Sequence, residues 1–390
     1  MKILFISSEA PYPDNSGGRI YTWQKIKQLS GAGNEIYLVS FNDLDEPITE
    51  IYSRYVKETY FYQRGFMPLK LITSIWEPFS LSTRRLLLMQ KKIATLIKEK
   101  KIDLVILDFI YMYYNLARAD LGGVPVVLVQ HNLEHQSFLS IAMEARDLPR
   151  RIIYRLESWK IKRLMRRLHE RKFFAGMIFI SPADAKAYGR EFGKIKHLVL
   201  PPAVTGVRNW AEKRRVESGS LVFTGAMCWP PNVFAVSWLV RKVMPKIWAV
   251  MPEAKLYIVG RSPTAPVRSL ASERVIVTGT VPTTLPYLRK ANVVVTPLLA
   301  GGGIKLKLFE ALQTGNIVVT TPQGKAGTVF KDGEDLFVAS GSKQFAKVCL
   351  KNLRKPNWQV AKHGNATLQK NYNFSAAKQS LRSFLKEIMR

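Results

Sequence analysis

One pattern constrains this chain more than any other. Short runs of branched apolar residues, each followed by an amphipathic stretch, appear as one series and then begin again. The first series is "KILFI" (Lys2–Ile6), "EIYLVSF", "DLVILD", "PVVLVQ" and "GMIFIS". A charged stretch, "RNWAEKRRVESGS", intervenes. The second series is "LVFTG", "KLYIVG", "RVIVTG", "NVVVTP", "NIVVTT" and "LFVAS". Apolar runs separated by helices belong to parallel sheets covered on both faces. The expectation is an α/β chain of two doubly wound domains, with the break near Pro201 to Ser220. A length of 390 residues agrees, because one ordinary core does not extend that far. Such sheets bind ligands outside the carboxyl ends of their strands.

Composition narrows the function classes. Two cysteines, Cys228 and Cys349, make neither a disulfide framework nor a thiolate metal site, and a reducing cytosol is expected. The start, "MKILFISSEAPYP", has an apolar run too short for a secretory signal. No run approaches the roughly 20 apolar residues of a membrane span. A formal charge of +30 calls for an anionic partner: nucleic acid, an anionic bilayer face or phosphorylated small molecules. Much of it lies in "RDLPRRIIYRLESWKIKRLMRRLHERKFF", Arg146 to Phe174, and in "FMPLKLITSIWEPFSLSTRRLLLMQKK", Phe66 to Lys92. Basic and apolar residues interleaved in this way suit a helix lying at a lipid interface. They suit equally a core helix with a solvated basic face.

The motifs that could carry chemistry sit just after strands. In "TPLLAGGGIKLKLFEALQTGN", Gly301 to Gly303 let a ligand approach the backbone. Ile304, Leu308, Ala311 and Leu312 then have the spacing of a buried helical face. A helix starting there would aim N–H groups at a phosphate. The plainer alternative is a turn whose Lys307 and Glu310 form a surface pair. Gly17 and Gly18 precede another helix, as an anion loop or a simple turn, and do not make a G-x-G-x-x-G fingerprint. His131 follows "PVVLVQ" and reads as a hydrogen-bond donor to a ligand oxygen, or as a capping or packing histidine. His135 is four residues on, but "HNLEH" lacks metalloprotease order and a third ligand, so no metal is expected. Arg261 ends "YIVG" as a phosphate clamp or a loop arginine. Thr280 and Val281 occupy a loop where backbone groups could meet a flat base.

The order of these motifs resembles that of GT-B glycosyltransferases, specifically the retaining enzymes of glycosyltransferase family 4. The resemblance runs from "PYPDNSGGRIYTW" through "HNLEH" and "FISPADAKAY" to "VFTGAMCWPPN", "AKLYIVGR", "VIVTGTVPTTLPYLRKANVVVTPLLAGGGIKLKLFEALQTGNIVVTT" and "KDGEDLFVA". It implies two Rossmann-like domains facing across a cleft. Residues 1–200 would bind the acceptor, 201–370 the nucleotide-sugar, and 371–390 would form a helix packing back on the first domain. It implies a nucleotide-diphosphate sugar donor, uridine favoured over guanosine by family habit, with no cofactor and no catalytic metal. By the same resemblance Glu310 grips the ribose, while Gly302, Gly303 and Ile304 hold the pyrophosphate and sugar. Gly17 and Gly18 close over the diphosphate, His131 bonds the sugar, and Thr280 and Val281 meet the base. His131 and Gly302 fall at the family's catalytic positions.

Two departures stand out. The family's first glutamate lies eight residues before the second, and here that position is Gly302. The arginine and lysine that usually follow the second domain's first strand are missing from "TGAMCWPPN", and Lys305 and Lys307 are the expected substitutes. The implied enzyme docks its basic first domain on the inner membrane face to reach a lipid-linked or envelope glycan acceptor. Competing readings are a basic nucleic-acid-binding protein and an inactive sugar-nucleotide-binding relative. The sequence has no RRM, KH or zinc-finger signature, so no nucleic-acid partner is expected.

Overall fold

The computed structural model describes residues 1–13, 17–42, 49–64, 76–117, 119–145, 147–204, 215–299 and 304–390. The chain divides into two compact units. One comprises Met1–Ala203 with Phe374–Arg390, and the other Val204–Asn373.

The first unit is built on strands β1 (Lys2–Ser7), β2 (Glu35–Phe41), β3 (Glu58–Tyr62), β4 (Leu104–Asp108), β5 (Val126–Gln130), β6 (Gly176–Phe179) and β7 (His197–Val199). They form one sheet in the order β3-β2-β1-β4-β5-β6-β7. Every pairing is parallel, and Ser7 lies opposite Asp108 in the β1–β4 register. The order reverses between β1 and β4, and this is the switch point where ligands of such sheets bind. Strands β3 and β7, absent from the sequence reading, are the two edges. Their residues are only half-buried or exposed, so they lack the continuous apolar run that marks a central strand.

The second unit has β8 (Ser220–Thr224), β9 (Lys255–Val259), β10 (Val275–Gly279), β11 (Val293–Thr296), β12 (Val318–Thr320) and β13 (Phe337–Val338), ordered β10-β9-β8-β11-β12-β13. This sheet is also parallel throughout, with its switch point between β8 and β11. Helix Phe374–Ile388 belongs with the first unit, where it packs on helix Gly17–Ser30 and β7.

The basic stretch after Arg146 resolves into a helix, Leu148–Glu170, whose two ends behave differently. Asp147 caps it by accepting from the Arg150 N–H. Toward its carboxyl end Ile161, Met165 and Leu168 are buried in the core. Toward its amino end Leu148, Ile152, Ile153, Leu156 and Trp159 are exposed, as are Leu139 and Met143 on the adjoining helix Glu134–Glu144. The carboxyl-terminal half is thus a core helix with a solvated basic face, and the amino-terminal half carries an exposed apolar row among its basic residues.

Candidate functional site

Because each sheet is parallel, every strand of a unit ends on the same edge, and the motif residues gather there. On the first unit the centre of that edge is Asp108, the last residue of β4 and fully buried. Its Oδ2 accepts from Thr22 Oγ1 at 2.6 Å and lies 3.3 Å from Ser7 Oγ, whose hydroxyl also reaches the Glu9 carbonyl at 2.9 Å. Its Oδ1 lies 2.7 Å from His131 Nε2. The His131 ring stacks on Phe109 at 3.6 Å between centroids and meets the edge of Tyr21 at 4.9 Å. Phe109 holds φ +70°, a conformation costly for a bulky residue and characteristic of functional sites. Gly18 completes the surround: a Cβ there would lie 3.3 Å from Glu9 Oε1 and 3.6 Å from the Phe109 ring. Gly17 and Gly18, expected to precede the helix, are instead its first two residues, in Gly17–Ser30.

Two turns along the same helix, Lys25 is buried and donates to Gln28 Oε1 at 2.6 Å. Burial lowers its pKa to about 7, although the nearby Asp108 favours its charged form. Burial, then Asp108, raises the Tyr21 pKa. His135 faces away from His131, pairing with Glu191 at 2.7 Å, so the two histidines answer to separate carboxylates. Among the described residues no cluster of three His, Cys, Asp or Glu side chains could hold a metal.

Sequence reasoning missed Asp108. Its signal was a lone carboxylate closing an otherwise apolar strand. Its partners are 23, 86 and 101 residues away, too distant for a motif to reveal.

On the second unit the corresponding edge holds Gly225 after β8, Gly260 and Arg261 after β9, and Thr280 and Val281 after β10. Gly302 and Gly303 lie outside the described residues. The helix expected to start beside them runs from Leu306 to Gln313, with extended Lys305 at its cap. Ile304, just ahead of that cap, packs against the core. Leu308, Ala311 and Leu312 are buried as their spacing predicted. Glu310 sits on the half-buried face of this helix.

Lys307 is not the outer half of a surface pair. Its Nζ donates to Asn232 Oδ1 at 2.7 Å and lies 4.0 Å over the Phe223 ring of β8. A Cβ at Gly225 would come within 2.9 Å of that Nζ, so glycine leaves the space the ammonium fills. Gly260 packs its backbone on Gly225 so closely that a Cβ would fall 1.8 Å from the Gly225 carbonyl oxygen. The Lys307 cation thus stands at the end of β8, where the expected arginine and lysine are missing. Burial lowers its pKa to about 7, while Glu310 raises it and Lys305 lowers it further.

Nearby polar atoms are unsatisfied. Among the described residues Arg261 Nε and Thr296 Oγ1, after β9 and at the end of β11, are buried without a hydrogen-bond partner, as is Gln28 Nε2 in the first unit. Native proteins rarely leave such groups unpaired without a functional reason. Thr280 is exposed and Val281 half-buried against the core.

Residues 218–355 match the family model Glycosyl transferases group 1. Solved structures match almost the whole chain. Sucrose-phosphate synthase from Thermosynechococcus elongatus superposes with a TM-score of 0.77 at 16% identity, covering 100% of this chain and 99% of that one. Anabaena HepE, in complex with UDP and glucose, gives 0.70 at 13% identity, covering 99% and 100%. The fold is GT-B. The matched residues lie within the second unit. A curated relative, an uncharacterized 44.6 kDa protein in the cps region of Klebsiella pneumoniae, is 25% identical over 95% of this chain and 96% of its own length.

Proposed function

We propose that the chain is a retaining, metal-independent glycosyltransferase of the family 4 kind, moving a sugar from a UDP-sugar to a lipid-linked or cell-envelope glycan. The observation that carries this reading is the enclosed Lys307 ammonium beside Gly225, whose hydrogen-bond acceptor is the neutral Asn232. Desolvation lowers the Lys307 pKa to about 7, and a diphosphate at this strand end would supply the anion that keeps the ammonium charged. The UDP and glucose held by Anabaena HepE on the same fold support the donor class.

In this reading Lys305 and Lys307 take the place of the missing arginine–lysine pair, and Arg261 adds a donor from β9. The backbone of Gly302, Gly303 and Ile304 cradles the diphosphate, Glu310 accepts from the ribose hydroxyls, and Thr280 and Val281 border the base. Gly17 and Gly18 close on the diphosphate and His131 bonds the sugar. The C1–O bond to phosphate breaks and a C1–O bond to the acceptor forms on the same face. The acceptor hydroxyl gives its proton to the departing phosphate oxygen. Fixed cations and amide dipoles stabilise that leaving group without a metal. Gly302 in place of a carboxylate leaves this chemistry intact.

A thermal-shift screen of nucleoside diphosphates and their sugars in EDTA tests the reading. UDP and one UDP-sugar should raise Tm, since saturation at 100 times Kd stabilises by about 2.7 kcal/mol. Salt-sensitive binding of RNA with no response to any nucleotide would replace the enzyme by a nucleic-acid-binding protein. Binding of a UDP-sugar without transfer to any glycan acceptor would favour the inactive relative.

The acceptor side rests on the exposed row of Leu148, Ile152, Ile153, Leu156 and Trp159 among Arg150, Arg151 and Arg155. Among the described residues no helix is long and apolar enough to cross a membrane. A basic helix with an exposed apolar row suits shallow insertion into an anionic leaflet from the cytoplasmic side. The protein should sediment with phosphatidylglycerol vesicles and not with phosphatidylcholine vesicles. Ile153→Glu with Trp159→Glu should abolish sedimentation and leave Tm unchanged.

A further inference from the structure

We propose that Asp108 is a positioning residue that holds His131 with its proton on Nε2, so that Nδ1 accepts a hydrogen bond from a hydroxyl of the transferred sugar. This rests on the proposed function for the sugar, but the state of the ring rests on geometry alone. A carboxylate only accepts. Asp108 Oδ2 takes the Thr22 hydroxyl, with that of Ser7 beside it, leaving Oδ1 for the imidazole at 2.7 Å. The hydrogen between them therefore belongs to Nε2. Phe109 stacked on one face and the Tyr21 edge keep the ring from turning over. Nδ1 is the ring nitrogen left for a ligand, and in the neutral ring it carries a lone pair.

The consequence reverses the role read from sequence: in the Nε2–H tautomer His131 accepts a hydrogen bond from its ligand rather than donating one. It discriminates among donors. A sugar with a hydroxyl at the contacted carbon satisfies Nδ1, whereas its deoxy analogue leaves a buried acceptor unpaired. Pockets built to bond a hydroxyl reject the analogue lacking it far more strongly than apolar pockets sort by size. The second partner of a functional histidine commonly sets its tautomer, and losing that partner costs about 10- to 100-fold.

Long-range 15N–1H spectra of the imidazoles, recorded on the substrate-free protein across a pH titration, read the tautomer directly. The His131 signal is assigned by its loss in His131→Gln. The expected neutral form is Nε2–H, changing to Nδ1–H or a mixture in Asp108→Asn, whose amide can donate to Nε2. In turnover, Asp108→Asn should lower kcat by about 10- to 100-fold with UDP affinity unchanged. Asp108→Asn in the His131→Gln background should cost nothing more. A neutral Nδ1–H signal in the wild type overturns the proposal, and this holds even if Asp108→Asn does not fold. An equal further loss in the double variant also overturns it, because Asp108 would then act by another route. Absence of transfer from every donor, with Nε2–H intact, counts against the proposed function and not against the tautomer.

Discussion

The two sheets carry opposite kinds of centre at the same topological place. At the first switch point a buried carboxylate, Asp108, has the Thr22 hydroxyl and an imidazole donating to it, with the Ser7 hydroxyl beside it. At the second, the Lys307 ammonium has Asn232 for an acceptor, and among the described residues buried Arg261 Nε and Thr296 Oγ1 have none. A satisfied polar network rigidifies what it contains, whereas a partly satisfied one is held at a cost. The comparison teaches that the first centre positions a side chain and the second waits for an anion.

The largest test of this contrast is Lys307→Met, which keeps the chain length and removes the charge. UDP affinity should fall at least about 30-fold by titration calorimetry, the scale of losing one partner of a buried charge pair. Tm should not fall, because a buried charge is also removed. Unchanged affinity would erase the distinction between the two centres. Glu310→Ala should cost less, about 10-fold in UDP affinity, within the range for hydrogen bonds to a charged group. Inorganic pyrophosphate should bind this variant as it binds the wild type, and an equal loss on both ligands would move Glu310 from the ribose to the phosphates. The smallest effect on UDP binding is expected at the satisfied centre. Thr22→Val removes one donor from Asp108 and should cost about 1–3 kcal/mol in a denaturant titration, with UDP affinity unaltered.

The same contrast explains what was legible in the sequence. Central strands such as "DLVILD" and "NVVVTP" announced themselves because they are buried on both faces and read as unbroken apolar runs. The edge strands Glu58–Tyr62 and His197–Val199 face solvent in part and carried no such run. The glycine-lysine-glutamate motif pointed to the second centre. It could not show that Lys307 turns inward to Asn232, 75 residues earlier, nor that the helix starts only at Leu306. Asp108 was invisible as chemistry because three separate segments must fold before its partners meet. Motif spacing reports what lies along one element, and the positioning contacts here run between elements.

The central claim is that a nucleoside diphosphate seats against Lys307, and proton linkage tests it most directly. Burial lowers the Lys307 pKa to about 7, with Glu310 opposing and Lys305 adding to that shift. Above pH 7 the free protein therefore holds this lysine largely neutral, and an arriving diphosphate raises its pKa and draws a proton in. Titration of UDP at pH 8 in buffers of different ionisation enthalpy should show uptake approaching one proton, with affinity falling by up to about tenfold per unit as pH rises further. Lys307→Met should remove both the uptake and the slope. Binding that takes up no proton and is indifferent to that substitution would contradict the account.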